Sequence, residues 1–155
     1  LFWYRPSTCN GVNLFKSSFM KLTDYFKDYQ TKRNTCLDEN QFSSLLMMYP
    51  SVLVATADGD FDALEKQNLA ESVKEATDGN ILVACEMYSE LSYLITADNN
   101  VKKQALTCIK DEIADKSEIK SMILELMTAM AEASEGISEI EAKRIAELKT
   151  ELLIN

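Results

Sequence analysis

The chain has 155 residues, 46% of them hydrophobic, with four glycines, two prolines and no histidine. That suffices for one buried core but offers too few turn-formers for an all-β fold, so the composition points to an all-α unit with short links. The net charge of −9 is uneven, since residues 1–33 hold six Lys and Arg against two acids while residues 34–155 hold ten against twenty-three; the body should repel nucleic acid and anionic membrane and attract cations or basic protein partners.

The chain opens on a basic, aromatic arm, Phe2-Trp3-Tyr4-Arg5. Trp, Tyr and Arg dominate interface energetics, so these four residues are a candidate anchor for a protein partner; the alternative is that the arm folds back on its own body. Between Leu14 and Gln30, Phe15, Phe19, Leu22, Phe26 and Tyr29 recur at helical spacing and predict a first helix. Residues 1–36 therefore read as arm plus first helix, and residues 37–155 as the helical domain. A second helix is expected over Glu39–Ala57, broken or kinked at Pro50, which lacks the N–H for the ladder and suits a helix start. Asp62 followed by Glu65 has capping-box spacing and starts a helix through Glu75. Thr77-Asp78-Gly79-Asn80 is a turn, after which Ile81, Ala84, Tyr88, Leu91 and Ile95 mark the apolar face of the next helix. Asn99-Asn100 breaks that helix, with Asp98 in the turn that ends it, and Leu106, Ile109 and Ile113 mark another. Ser117 caps a helix bearing Ile119, Ile123, Leu126, Met130 and Ala133. Ser138 with Glu141 repeats the capping box, and Ile145, Leu148 and Leu152 line the last helix. The expectation is a compact bundle of about seven helices.

Cys9, Cys36, Cys85 and Cys108 lie far apart, with no C-x-x-C pair and no histidine to complete a zinc site. Cys85 and Cys108 fall within apolar helical patterns and read as small core residues in a reducing compartment. No signal peptide is visible, and the longest uncharged run, Gln41–Ala57, contains Pro50 and falls short of the ~20 residues of a membrane span. A cytoplasmic location follows, or a place in a particle assembled there.

One stretch stands apart. In "ATADGDFDALEKQ", residues 55–67, Asp58, Asp60 and Asp62 crowd a turn where a helix ends. Asp58 faces the negative end of a helix dipole, at a cost of ~0.3–1 kcal/mol, whereas Asp62 and Glu65 sit at the favourable start of the next. Shifted by 76 positions, the stretch overlies "AEASEGISEIEAK", residues 131–143, aligning Asp62 with Ser138 and Glu65 with Glu141. Two helix–acidic turn–helix units thus form a pseudo-repeat. Spacing alone leaves two readings open: a capped, solvated turn, or an oxygen-ligand cation site suited to Ca²⁺ or Mg²⁺. An EF-hand is excluded, because Ala63 stands where its glycine is needed and Leu69 where its closing glutamate is.

"SVLVATADGDFDALEKQNL", "MYSELSYLITADNNVKKQALTCIKDEI" and "LMTAMAEASEGISEIEAKRIAEL" together resemble the tellurite-resistance TerB family over roughly residues 37–153. The resemblance implies an all-helical fold with A-D-G-E-x-x-x-x-E in both halves and clustered acids proposed to bind divalent metal. It also implies a role in tellurite resistance and related stress responses, with such domains found in phage-borne and membrane-associated assemblies. By position the motif's acids fall on Asp58, Asp60 and Glu65, and on Glu141 in the second half. Ser134, Glu135 and Gly136 depart from the motif there, with Glu135 as the substitute ligand through a shifted turn.

The leading expectation is a noncatalytic, TerB-like acidic scaffold that docks protein partners and takes Ca²⁺ or Mg²⁺. The alternative is a structural component of a larger assembly, such as a phage particle, anchored by the N-terminal arm. An enzyme is disfavoured: there is no histidine, no Gly-rich phosphate loop, no G-x-S-x-G, and no arginine cluster beside an acid.

Overall fold

The computed structural model describes residues 20–133 and 136–155, which form seven α-helices and, among the described residues, no strand. In chain order they are α1 (Leu22–Arg33), α2 (Glu39–Ala55), α3 (Ala63–Ala76), α4 (Ile81–Thr96), α5 (Asn99–Ile113), α6 (Ser117–Glu132) and α7 (Glu139–Glu151). The expected all-α bundle is what the chain builds.

Helix α2 is its centre and packs against all six others. Every residue from Leu45 to Ala55 is buried, including Pro50, so this part of α2 is covered around its whole circumference. The expected break at Pro50 does not occur, for the helix runs through it. An interior proline costs on the order of 3 kcal/mol, but packing on all sides by six helices holds the flanking turns in register.

Helix α1 starts at Leu22, inside the stretch that the aromatic spacing marks. Lys21 before it is extended (φ −73°, ψ 138°) and interrupts the expected seam, while the Met20 N–H donates to the Asp111 carboxylate at 2.7 Å and ties the entry to α5. Phe15 and Phe19 lie outside the described residues. Tyr25, Phe26 and Tyr29 surround Phe42 of α2, with ring centroids 4.7–5.7 Å from its own. The helix closes on Asn34, which takes a left-handed φ of 53° and donates its N–H to Gln30.

Three more details differ from the sequence reading. Asp98 starts a helix instead of merely ending one: its carboxylate accepts the N–H groups of Asn100 and Val101 and caps α5. Ser117 is the first residue of α6, and Lys116 before it makes no side-chain cap. On α4 the buried face is Met87, Glu90, Leu91 and Leu94, while Ile81, expected in the seam, is 72% exposed. Cys85 is accordingly exposed, contrary to expectation, whereas Cys108 is buried as expected. Burial pushes the Cys108 thiol up to about 12, leaving it unreactive. No described helix is long and apolar enough to cross a membrane.

Candidate functional site

The acidic turn is built from the end of α2 outward. Thr56 caps the helix, and Gly59 reverses the chain with φ +87°, open on all sides, so the backbone conformation and not space calls for glycine there. Asp58 and Asp60 are exposed, and the Asp58 carboxylate accepts the Asp60 N–H at 2.9 Å. That N–H offsets part of the dipole penalty on Asp58 without any ion. Asp62 then closes the expected capping box: its carboxylate accepts the Glu65 N–H at 2.8 Å, and Glu65 accepts the Asp62 N–H at 2.9 Å.

The second turn repeats the device. Ser138 accepts the Glu141 N–H at 3.2 Å, and Glu141 accepts the Ser138 N–H at 2.8 Å. The caps keep the 76-residue shift, yet the turns before them do not match. Gly59 stands three residues ahead of its cap, whereas Gly136, at φ +96°, stands only two ahead of its own. Ile137, aligned with the partly buried Phe61, is 41% exposed.

What the two turns share is a buried carboxyl at the third helical position, with Glu65 only 4% and Glu141 5% exposed. Burial is the largest influence on Glu65 and pushes its pKa up; the Asp62 N–H pulls it down, and the charges of Asp62, Glu141 and Asp58 push it up again. The fold therefore brings Glu65 within the electrostatic reach of Asp58 and of Glu141 from the other turn. Asp60 points to solvent at the turn's tip. Glu135 lies outside the described residues, as do Phe2, Trp3, Tyr4 and Arg5. Among the described residues no three His, Cys, Asp or Glu side chains form a group able to hold a metal. The described carboxylates thus do not complete a site by themselves, and a cation there would need main-chain oxygens, water or a ligand from the second turn.

A third buried carboxylate, Glu90, was not among the residues the sequence singled out. Glu90 accepts Tyr29 Oη at 2.6 Å, Arg33 Nε at 2.9 Å and Arg33 Nη2 at 3.1 Å, while the Arg33 guanidinium lies 3.8 Å from the Tyr93 ring centroid. One turn earlier, Glu86 accepts the Thr35 hydroxyl and the Cys36 N–H. These bonds clamp the end of α1 to α4. The signal was a lone acid between Met87 and Leu91 in an apolar seam, which demands a buried partner.

A scan against protein-family models found no match, and neither did searches of curated proteins or of solved structures.

Proposed function

We propose that this chain is a noncatalytic, TerB-like acidic module: a cytoplasmic scaffold of the tellurite-resistance type of stress response that takes up Ca²⁺ or Mg²⁺ between its two turns and docks protein partners. One observation carries the reading. Two helix starts at a common offset each bury a glutamate, and the charge of Glu141 acts on Glu65. Glutamine also serves a capping box, and the helix dipole that favours a carboxylate at each start does nothing to relieve the repulsion between the two buried ones. Like charges brought together out of water are costly, and a hard cation with oxygen ligands offsets that cost.

The test is thermal unfolding in millimolar Ca²⁺ or Mg²⁺ against chelator, for wild type, Asp58→Asn and Glu65→Gln. A ligand at a hundredfold its dissociation constant adds about 2.7 kcal/mol, which for a chain of this size raises the melting temperature by roughly 5–11 °C. Both variants should lose most of the increment. An unchanged wild-type midpoint would sink the cation reading and leave two capped, solvated turns.

A second reading is favoured by a specific mismatch: Gly136 stands where the motif has an acid, and the turn around it is one residue out of register. A structural component of a larger assembly, anchored by Phe2, Trp3, Tyr4 and Arg5, needs the fold but no cation. Replacing Phe2, Trp3 and Tyr4 together by serine should then abolish assembly in size-exclusion chromatography. A scaffold that needs only its helical body keeps its partners.

A further inference from the structure

Helices α3 and α6 both pack on α2 and leave a groove between them, floored by Met47 and Met48. Two hollows of about 180 and 480 Å³ lie along it, with Met48, Ser72, Glu75 and Leu126 in the walls of both. Met122, Leu126 and Met130 line the α6 side, and Met122 is 40% exposed. Four of the chain's seven methionines meet here. Unbranched, polarizable thioethers adapt to different apolar partners and are over-used at adaptable binding surfaces.

The charge around the groove has one sign. Glu71 and Glu75, one turn apart on the exposed row of α3, are the only charged residues, among those described, in the walls of either hollow. The lining spans Ile119 to Met130 of α6, about 16 Å or three helical turns. An occupant must therefore be apolar on one side, basic along the α3 rim and roughly three turns long. The described surface has no sheet edge for strand addition and neither hollow has an aromatic lining for a polyproline segment, so helix-in-groove recognition fits it best.

We infer that this groove docks an amphipathic helix of a partner protein, with leucine-like side chains on the methionine floor and lysine or arginine against Glu71 and Glu75. The groove goes beyond the proposed cation-binding role and is independent of it: none of its walls includes Asp58, Glu65 or Glu141, and it is tested in chelator.

The probe is a helical peptide of leucine and lysine alone, with leucine at i, i+3, i+4 and i+7, titrated into the full chain carrying ¹³C-methyl methionine. The expected result is saturable shifts at the methyls of Met47, Met48, Met122 and Met130, with Met87 and Met127 unmoved. A scrambled peptide of the same composition should leave all of them in place. Met122→Glu should weaken binding by about tenfold or more. Should that variant fold poorly, Glu71→Lys with Glu75→Lys alters only exposed residues and should transfer preference to a leucine–glutamate peptide. Equal shifts with the scrambled peptide, or no shift at the groove methyls, overturn the inference. Contacts from the Trp3 indole to those methyls in the free chain would give the groove to the chain's own arm and overturn it too. Methyl shifts that follow protein concentration without peptide would give the groove to a second copy, which equally overturns docking of a partner helix.

Discussion

Glu65 holds its proton more tightly than a free glutamate does, because burial disfavours its charge and Asp62, Glu141 and Asp58 add repulsion. An unfolded glutamate titrates at about 4.3. The stability due to the protonated form is fully present below that value and is lost as pH rises through the higher folded value. Glu65→Gln keeps an acceptor for the Asp62 N–H and has no proton to lose. In chelator, its melting temperature should gain on wild type as pH is raised from about 4 to about 7; a constant offset would show that residue 65 feels no such field. Two tyrosines on α1 make a sharper pair. The Tyr25 hydroxyl is buried with no hydrogen-bond partner among the described residues, whereas Tyr29 donates to Glu90. Tyr25→Phe should therefore be neutral or stabilising by about 1 kcal/mol, and Tyr29→Phe should cost about 1.5–3 kcal/mol in urea unfolding. Equal effects would mean that the two hydroxyls have equivalent partners.

Among the elements, the two capping boxes of the acidic turns are the most local features and were the most legible. Asp62 with Glu65, and Ser138 with Glu141, sit in the spacing that lets side chain and backbone satisfy each other, and both boxes form. Asp62→Ala and Ser138→Ala should each cost about 1 kcal/mol, read as a fall in the urea midpoint at unchanged slope. Faces and interruptions were less legible. The α4 pattern included Ile81, but the buried face is centred on Met87, Leu91 and Leu94, because Glu90 must face inward to meet Arg33 and Tyr29. Leu94→Ala should cost about 2–5 kcal/mol and Ile81→Ala under about 0.5 kcal/mol. A reversed order would restore the sequence-derived face. Pro50 was misleading for the same reason, since local chemistry argues for a break that six packed neighbours do not allow.

At the scale of the molecule, α1 shares the core of the other helices. Tyr25, Phe26 and Tyr29 pack on Phe42, and Glu86 and Glu90 fasten the far end of α1 to α4. Unfolding should accordingly be a single transition, with near-ultraviolet signals from the α1 tyrosines coinciding with the loss of helix and with equal calorimetric and van't Hoff enthalpies. An earlier tyrosine transition would show that α1 detaches from a separately stable body. The groove between α3 and α6 also belongs to this scale, since its floor and two walls come from three helices distant in sequence.

Composition, periodicity and capping chemistry by themselves determined the all-α class, the number and order of the helices, and the two capped acidic turns. These depend on interactions within a few residues, which a sequence displays directly. Only the tertiary structure decided that Pro50 sits inside a helix, that α4 turns Glu90 inward, and that Glu65 and Glu141 are buried within each other's field. Each of those depends on what a distant segment presents: a partner for a charge, a surface against a proline turn, or a second carboxyl from a turn 76 positions along the chain.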